Sequence, residues 1–405
     1  MTPSMVVVML TLFMGIQPVT TDLYLPGLPT LQRELGGGVA GAQLTLSVLI
    51  ICFGVGQLVC GPLADRFGRR PVLLAGVGLY TLAALGGATA PSIGMLVAWR
   101  ALQGAAMAAA VTCGRSVIRD LFVPAEGARV LSRALSGLGV IAMLSPVFGG
   151  LAVETLGWRA ALVMPALFGA ATLALVATRF EETTPLKNPL ATRPGTLLAN
   201  WRAVLANPTF RAWATLSAFT YGGLFFMLAG SSFIFIERLG TPRAAYGVML
   251  GTMSVAYVAG TVLCRRLLPR FGLRGTVARG AWFSLAGGVS MAALDLAGVA
   301  SVWAILLPQY VFAIGHGIHQ PCGQAGAVGP FPERAGTAAS LSGFVMTAAA
   351  LGVGLWVGHA LTAASSLPVT LGIGAFSIGL AAVAWTWVQR DGEPAASPQP
   401  APRAA

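Results

Sequence analysis

The chain has 405 residues, 56% of them hydrophobic and 9% charged, and its mean hydropathy is +0.78. Soluble domains carry about 25% charged residues, so this composition excludes one and indicates a polytopic membrane protein. The net charge of +12 falls in short clusters between apolar runs, a pattern of membrane topology that argues against a nucleic-acid partner.

Apolar runs fall at 4–25, 42–62, 72–91, 93–118, 130–153 and 158–178. A polar segment, 179–208, interrupts, and runs resume at 209–236, 244–268, 276–297, 300–328, 336–362 and 366–388. About 20 residues suffice for a helix to cross a bilayer. The expectation is therefore an all-α membrane protein with 12 transmembrane helices in two six-helix bundles. Residues 1–178 form the first bundle, 179–208 a cytoplasmic linker, 209–390 the second bundle and 391–405 a disordered tail rich in Pro and Ala. The first run has no basic n-region or A-x-A site and is read as a retained helix. Cys52, Cys60, Cys113, Cys264 and Cys322 lie in or at the ends of apolar runs without a C-x-x-C pair, and read as buried structural thiols.

Basic residues orient the chain. With the N-terminus inside, 20 of the 25 fall in inner loops. Arg33, Arg159, Arg238 and Arg243 are left outside, and Arg100 in the membrane. Both termini are thus expected to be cytoplasmic. Arginine so outnumbers lysine (Lys187 is the only one) that a G+C-rich bacterial source, and hence its inner membrane, is the expected setting.

The halves also echo each other. Arg66-Phe67-Gly68-Arg69-Arg70 is matched by Arg270-Phe271-Gly272-Leu273-Arg274, 204 residues later. Pro124-Ala125-Glu126 is matched by Pro332-Glu333, 208 residues later. Both matches follow equivalent helices, which indicates a duplicated unit in parallel orientation. That is a signature of secondary transporters whose site lies between the repeats.

The stretch Gly61-Pro62-Leu63-Ala64-Asp65-Arg66-Phe67-Gly68-Arg69-Arg70 resembles the signature loop of the major facilitator superfamily. Asp22-Leu23-Tyr24-Leu25-Pro26, Arg100-Ala101-Leu102-Gln103-Gly104 and Arg119-Asp120-Leu121-Phe122 are similar to stretches of its Bcr/CflA group of drug:proton antiporters. Tyr246-Gly247 and Pro330-Phe331-Pro332-Glu333-Arg334 add to the likeness. Ser145-Pro146-Val147-Phe148-Gly149-Gly150 resembles the fifth-helix antiporter motif, with serine where that motif has glycine. The resemblance implies a gating role for Gly61, Asp65, Arg66, Gly68, Arg69, Arg119 and Asp120, and a hinge or seal at Pro146, Gly149 and Gly150. Topology anchoring by the arginines, and ordinary packing by the small residues, are the alternatives.

Asp22 and Arg100 are the expected proton-coupling residues, because a charge within a membrane helix is costly and functional by default. Asp22 alternatively helps end its helix at the interface, and Arg100 alternatively snorkels outward. Asp65 is expected to bond Arg115 or Arg119, or to cap a helix start across the two halves. Tyr24, Gln103, Met107, Tyr221, Phe225, His319 and Gln320 are the expected substrate cavity, with lipid-facing or core positions as the alternative for the aromatics. His316 and His319 have a spacing that can share a metal, but only His359 offers itself as a third ligand; no metal site is expected.

The expected function is proton-coupled export of small amphipathic or cationic drugs by alternating access, with export of a metabolite or amino acid as the alternative. No cofactor is expected beyond the proton gradient, and one chain holding both halves is expected to work as a monomer in the bilayer. A membrane-embedded enzyme is disfavoured. The sequence has no phosphate-binding P-loop, H-E-x-x-H or G-x-S-x-G.

Overall fold

The computed structural model describes residues 1–122, 124–184, 187–331, 334–362 and 365–393. They are almost wholly helical, and no β-strand occurs among them. In hydrocarbon the backbone must satisfy its own polar groups, and helices do so within one segment.

The first bundle contains α1 (Pro3–Thr21), α2 (Leu28–Leu35), α3 (Gly38–Phe67), α4 (Arg69–Ala88), α5 (Ile93–Leu121), α6 (Pro124–Leu156) and α7 (Ala160–Arg179). A helix α8 (Pro194–Ala206) follows, then α9 (Pro208–Ser232), α10 (Arg243–Leu296), α11 (Val302–Val328), α12 (Ala335–Ala360), α13 (Leu367–Trp385) and α14 (Trp387–Asp391). Ten of the described helices are long and apolar enough to span a membrane. α10, at 54 residues, is one of them. A straight helix of that length would run about 80 Å, far more than a bilayer needs. It is broken at Gly272, whose φ of +62° is open to glycine alone, so it makes two crossings. α11 is not among the ten; it carries Gln309, His316, His319, Gln320 and Gln324 in its 27 residues.

Local chemistry sets the boundaries. The Thr2 hydroxyl accepts the Met5 amide at the start of α1. α1 stops at Thr21, and Pro26 lies in a 3₁₀ turn, Leu25–Gly27, before α2. Gly68, at φ +106°, separates α3 from α4 and is the counterpart of Gly272. Two segments are more ordered than the sequence suggests. The polar linker contains α8, and the chain beyond 390 continues to Glu393, which pairs with Arg274 at 3.3 Å. The Trp213 indole also donates to the Gly392 carbonyl at 2.9 Å. Residues 394–405 lie outside the described residues.

The halves meet along two helix pairs, α3 with α12 and α6 with α10. Small residues allow this approach. A Cβ on Gly150 would meet the Arg243 carbonyl and one on Gly247 the Pro146 carbonyl; within the first half, one on Gly149 would meet the backbone of Leu23. α6 itself runs unbroken through Pro146.

Candidate functional site

At the end of the molecule opposite the arginine-rich loops, the halves are fastened together. The Gln43 side chain donates to the Ala229 carbonyl across the interface. The Ala244 amide donates to Glu154 at 2.7 Å, and Arg33 pairs with Glu237 at 3.5 Å. The Arg33 pair is too exposed to contribute much alone. Toward the arginine-rich end a cavity of about 150 Å³ opens between the halves. It is lined by Gln17 of α1, Phe53 and Gln57 of α3, Arg115 of α5, Tyr221 of α9, Gln320 and Gln324 of α11, and Ser342 and Met346 of α12.

The predicted cavity residues divide in two. Tyr221 and Gln320 line the cavity, and the Gln17 amide donates to the Tyr221 hydroxyl at 3.4 Å. Tyr24, Gln103, Met107, Phe225 and His319 are buried within the bundles instead. The Tyr24 hydroxyl bonds Thr45 at 2.7 Å. His319 is held by Ser284 and the Val277 carbonyl, and His316 by Thr220 at 2.9 Å. The sequence reading missed Gln17, Gln57, Arg115 and Gln324. Their only signal was an isolated polar group in an apolar run, which is costly to bury in hydrocarbon.

Asp22 follows the last turn of α1 and accepts the Thr21 hydroxyl at 2.7 Å. It lies about 7 Å further along the helix axis than Gln17, within electrostatic reach of Tyr221 and Tyr246 in the other half. Arg100 is 1% exposed, stacks on the Tyr24 ring at 3.7 Å and donates to Gln103 at 2.9 Å and the Thr20 carbonyl at 3.4 Å. Thr20 in turn bonds the Tyr80 hydroxyl at 2.7 Å. Asp22 and Arg100 are not ion-paired: Thr20, in the last turn of α1, and Tyr24, just after it, contact Arg100, whereas Asp22, half a turn from Thr20, lies within reach of the other half. Arg100 Nε and Nη2 have no partner among the described residues.

The signature loop is clasped from within its own half. Arg69, 3% exposed, pairs with Asp65 at 2.7 Å and with Asp120 at 3.1 Å. Asp65 therefore meets Arg69 rather than Arg115, which faces the cavity. The Arg119 side chain lies outside the described residues. Glu182, from the segment after α7, accepts the Arg69 amide at 2.8 Å and the Arg70 amide at 3.1 Å, filling the role of an N-cap for α4. It also accepts the Thr183 and Thr184 amides at 3.0 Å. Arg66 donates to Thr192 at 2.6 Å and the Asp65 carbonyl accepts the Asn188 amide at 2.9 Å, tying the linker to α3. Gly61 sits where α5 passes, with Thr112 as the neighbour its Cβ would meet.

Two parallel helical bundles, a cavity between them open at one end, and isolated charges within the spans define a secondary-transporter architecture. The sequence matches the Major Facilitator Superfamily over residues 7–352, and the chain belongs to that family. It is 29% identical to multidrug resistance protein D of Escherichia coli (strain K12), over 83% of this chain and 84% of that one. It is 28% identical to a chloramphenicol resistance protein of Pseudomonas aeruginosa, over 78% of this chain and 74% of that one. Among solved structures, a D-xylose–proton symporter superposes with a TM-score of 0.75 at 16% identity, covering 96% of this chain and 99% of that one. That likeness is one of fold. The protein is a multi-pass membrane transporter, of a family that moves small molecules with ions.

Proposed function

We propose that this protein exports small drugs or other xenobiotics across the bacterial inner membrane in exchange for protons. Both termini are cytoplasmic, and the arginine-rich end, where the cavity opens, faces the cytoplasm. The bundles 1–178 and 209–390 rock about the cavity, and the linker 179–208 joins them. One chain suffices, with lipid around it, no cofactor and no catalytic chemistry.

The observation that carries this reading is the cavity between the bundles. Its lining includes Arg115, Gln324 and Val328 from the arginine-rich ends of their helices, while Gln43 and Glu154 bond across the halves at the opposite end. A drug entering from the cytoplasm meets Tyr221, Phe53 and Met346, whose rings and thioether adapt to varied shapes. Asp22 serves as the proton carrier, and Arg100 as the fixed cation that shapes the field around the end of α1 through Thr20 and Tyr24. Proton and substrate stabilise different face-open states, which is what couples their movements. The resistance-protein names of the relatives support the substrate class. Energised everted vesicles holding this protein should accumulate radiolabelled chloramphenicol, and a protonophore should abolish the accumulation. Accumulation that survives the protonophore would sink the proton-coupled reading.

A further inference from the structure

We propose that the cavity selects small organic compounds that carry a carboxylate or other negative charge beside hydrogen-bond donors, and disfavours lipophilic cations. This rests on the transport reading above and names the substrate class of the same cavity.

Among the described residues the lining presents one guanidinium, Arg115, together with Gln17, Gln57, Gln320, Gln324 and Tyr221, and no carboxylate. Arg115 is exposed to the cavity and has no acidic partner among the described residues. It lies six residues before the end of α5, toward the arginine-rich end of the cavity. A guanidinium stays charged at any working pH and presents a planar fork that matches a carboxylate with two parallel hydrogen bonds. Deeper in, Gln320 Oε1 is buried and without a partner among the described residues, an acceptor waiting for a ligand N–H or O–H. Asp22, within electrostatic reach of Tyr221, is not one of the lining residues. It already accepts the Thr21 hydroxyl and on the proposed mechanism is engaged by a proton. It therefore does not neutralise Arg115 at the mouth. The cavity of about 150 Å³ is below the roughly 300 Å³ at which drug-sized sites begin, so the ligand is small in this state.

The test reads charge selectivity without requiring transport. Ala339→Cys and, separately, Val328→Cys place a thiol on the lining. In everted vesicles each would be treated with methanethiosulfonate reagents bearing ethylsulfonate or ethyltrimethylammonium, with rates normalised to a free thiol and to the parent protein. The sulfonate should react preferentially, and adding Arg115→Gln should lower the sulfonate-to-ammonium ratio about tenfold, the scale of one unit charge acting on both reagents across a partly aqueous cavity. Benzoate should protect the thiol at lower concentration than benzamide, and that difference should vanish with Arg115→Gln. A ratio favouring the cation, a ratio unmoved by Arg115→Gln, or equal protection by the two compounds would overturn the proposal. Charge selectivity that persists where no proton-driven accumulation occurs would instead remove the antiport reading and leave this one standing.

Discussion

Replacing Glu182 with alanine should release the segment after α7 from the start of α4. The carboxylate accepts the Arg69 and Arg70 amides, two of the donors that a helix start leaves unpaired, besides the amides of Thr183 and Thr184. Loss of such a cap costs about 0.5–2 kcal/mol, and a negative charge at a helix start contributes about 0.3–1 kcal/mol. Glu182 is exposed, so the lower parts of both ranges apply, about 1–2 kcal/mol together. Amide hydrogen exchange of the purified protein in nanodiscs should then accelerate about 5- to 30-fold at these residues. The clasp should also be pH-dependent. Partial burial raises the Glu182 pKa, but the amides of Thr184, Arg69 and Arg70 outweigh it and hold the carboxyl below its usual 4.5. Its contribution is therefore complete above that usual value and is lost as the pH falls through the lower folded value. Glu182→Gln should abolish this step after correction for intrinsic exchange. Unchanged protection of Arg69 and Arg70 in Glu182→Ala would refute the cap.

Four other substitutions probe the clasp and the fastened face. Asp120→Asn should destabilise the purified protein more than Asp65→Asn, because Arg69 and Asp120 are 3% and 7% exposed whereas Asp65 is 46% exposed. The expected costs are about 2–4 kcal/mol against under about 1 kcal/mol, and thermal unfolding in nanodiscs would order them. Gln43→Leu removes the cross-half bond to Ala229 and should shift the protein toward its other face-open state by about fivefold, read from fluorescence transfer between labels on the two bundles at that end. Gly150→Leu drives a side chain into the Arg243 carbonyl, at a cost of about 1–3 kcal/mol to the fastened face. It should lower the transport rate while leaving expression intact; normal turnover would argue against a seal there.

The architecture was legible because bilayer thickness fixes helix length and each break carries its own residue. Gly68 and Gly272 mark the links, Pro26 sits in the turn after the first helix, and the arginine clusters mark one end. The helix in the linker was not legible, since the segment is polar and α8 buries little beyond Val204. Nor was the Glu182 clasp, which joins residues 113 apart in sequence. The cavity was legible only in part. A transmembrane helix is apolar on its lipid face and its packing face alike, so periodicity does not separate them. Phe225 and Met107 accordingly lie in the bundles, whereas Tyr221, one turn from Phe225, fronts the cavity. Gln17, Gln57 and Gln324 carry no motif, and their position follows from how the bundles meet. Arg115 read as an inner-loop arginine and a candidate partner for Asp65, although its helix turns it toward the cavity.

The central claim, exchange of a drug for a proton carried at Asp22, is tested most directly in respiring everted vesicles. Adding chloramphenicol should release protons from the vesicle lumen through the wild-type protein, and Asp22→Asn should abolish that release while the protein still binds the drug. Proton release that persists undiminished in Asp22→Asn, or drug uptake without any proton movement, would contradict the account.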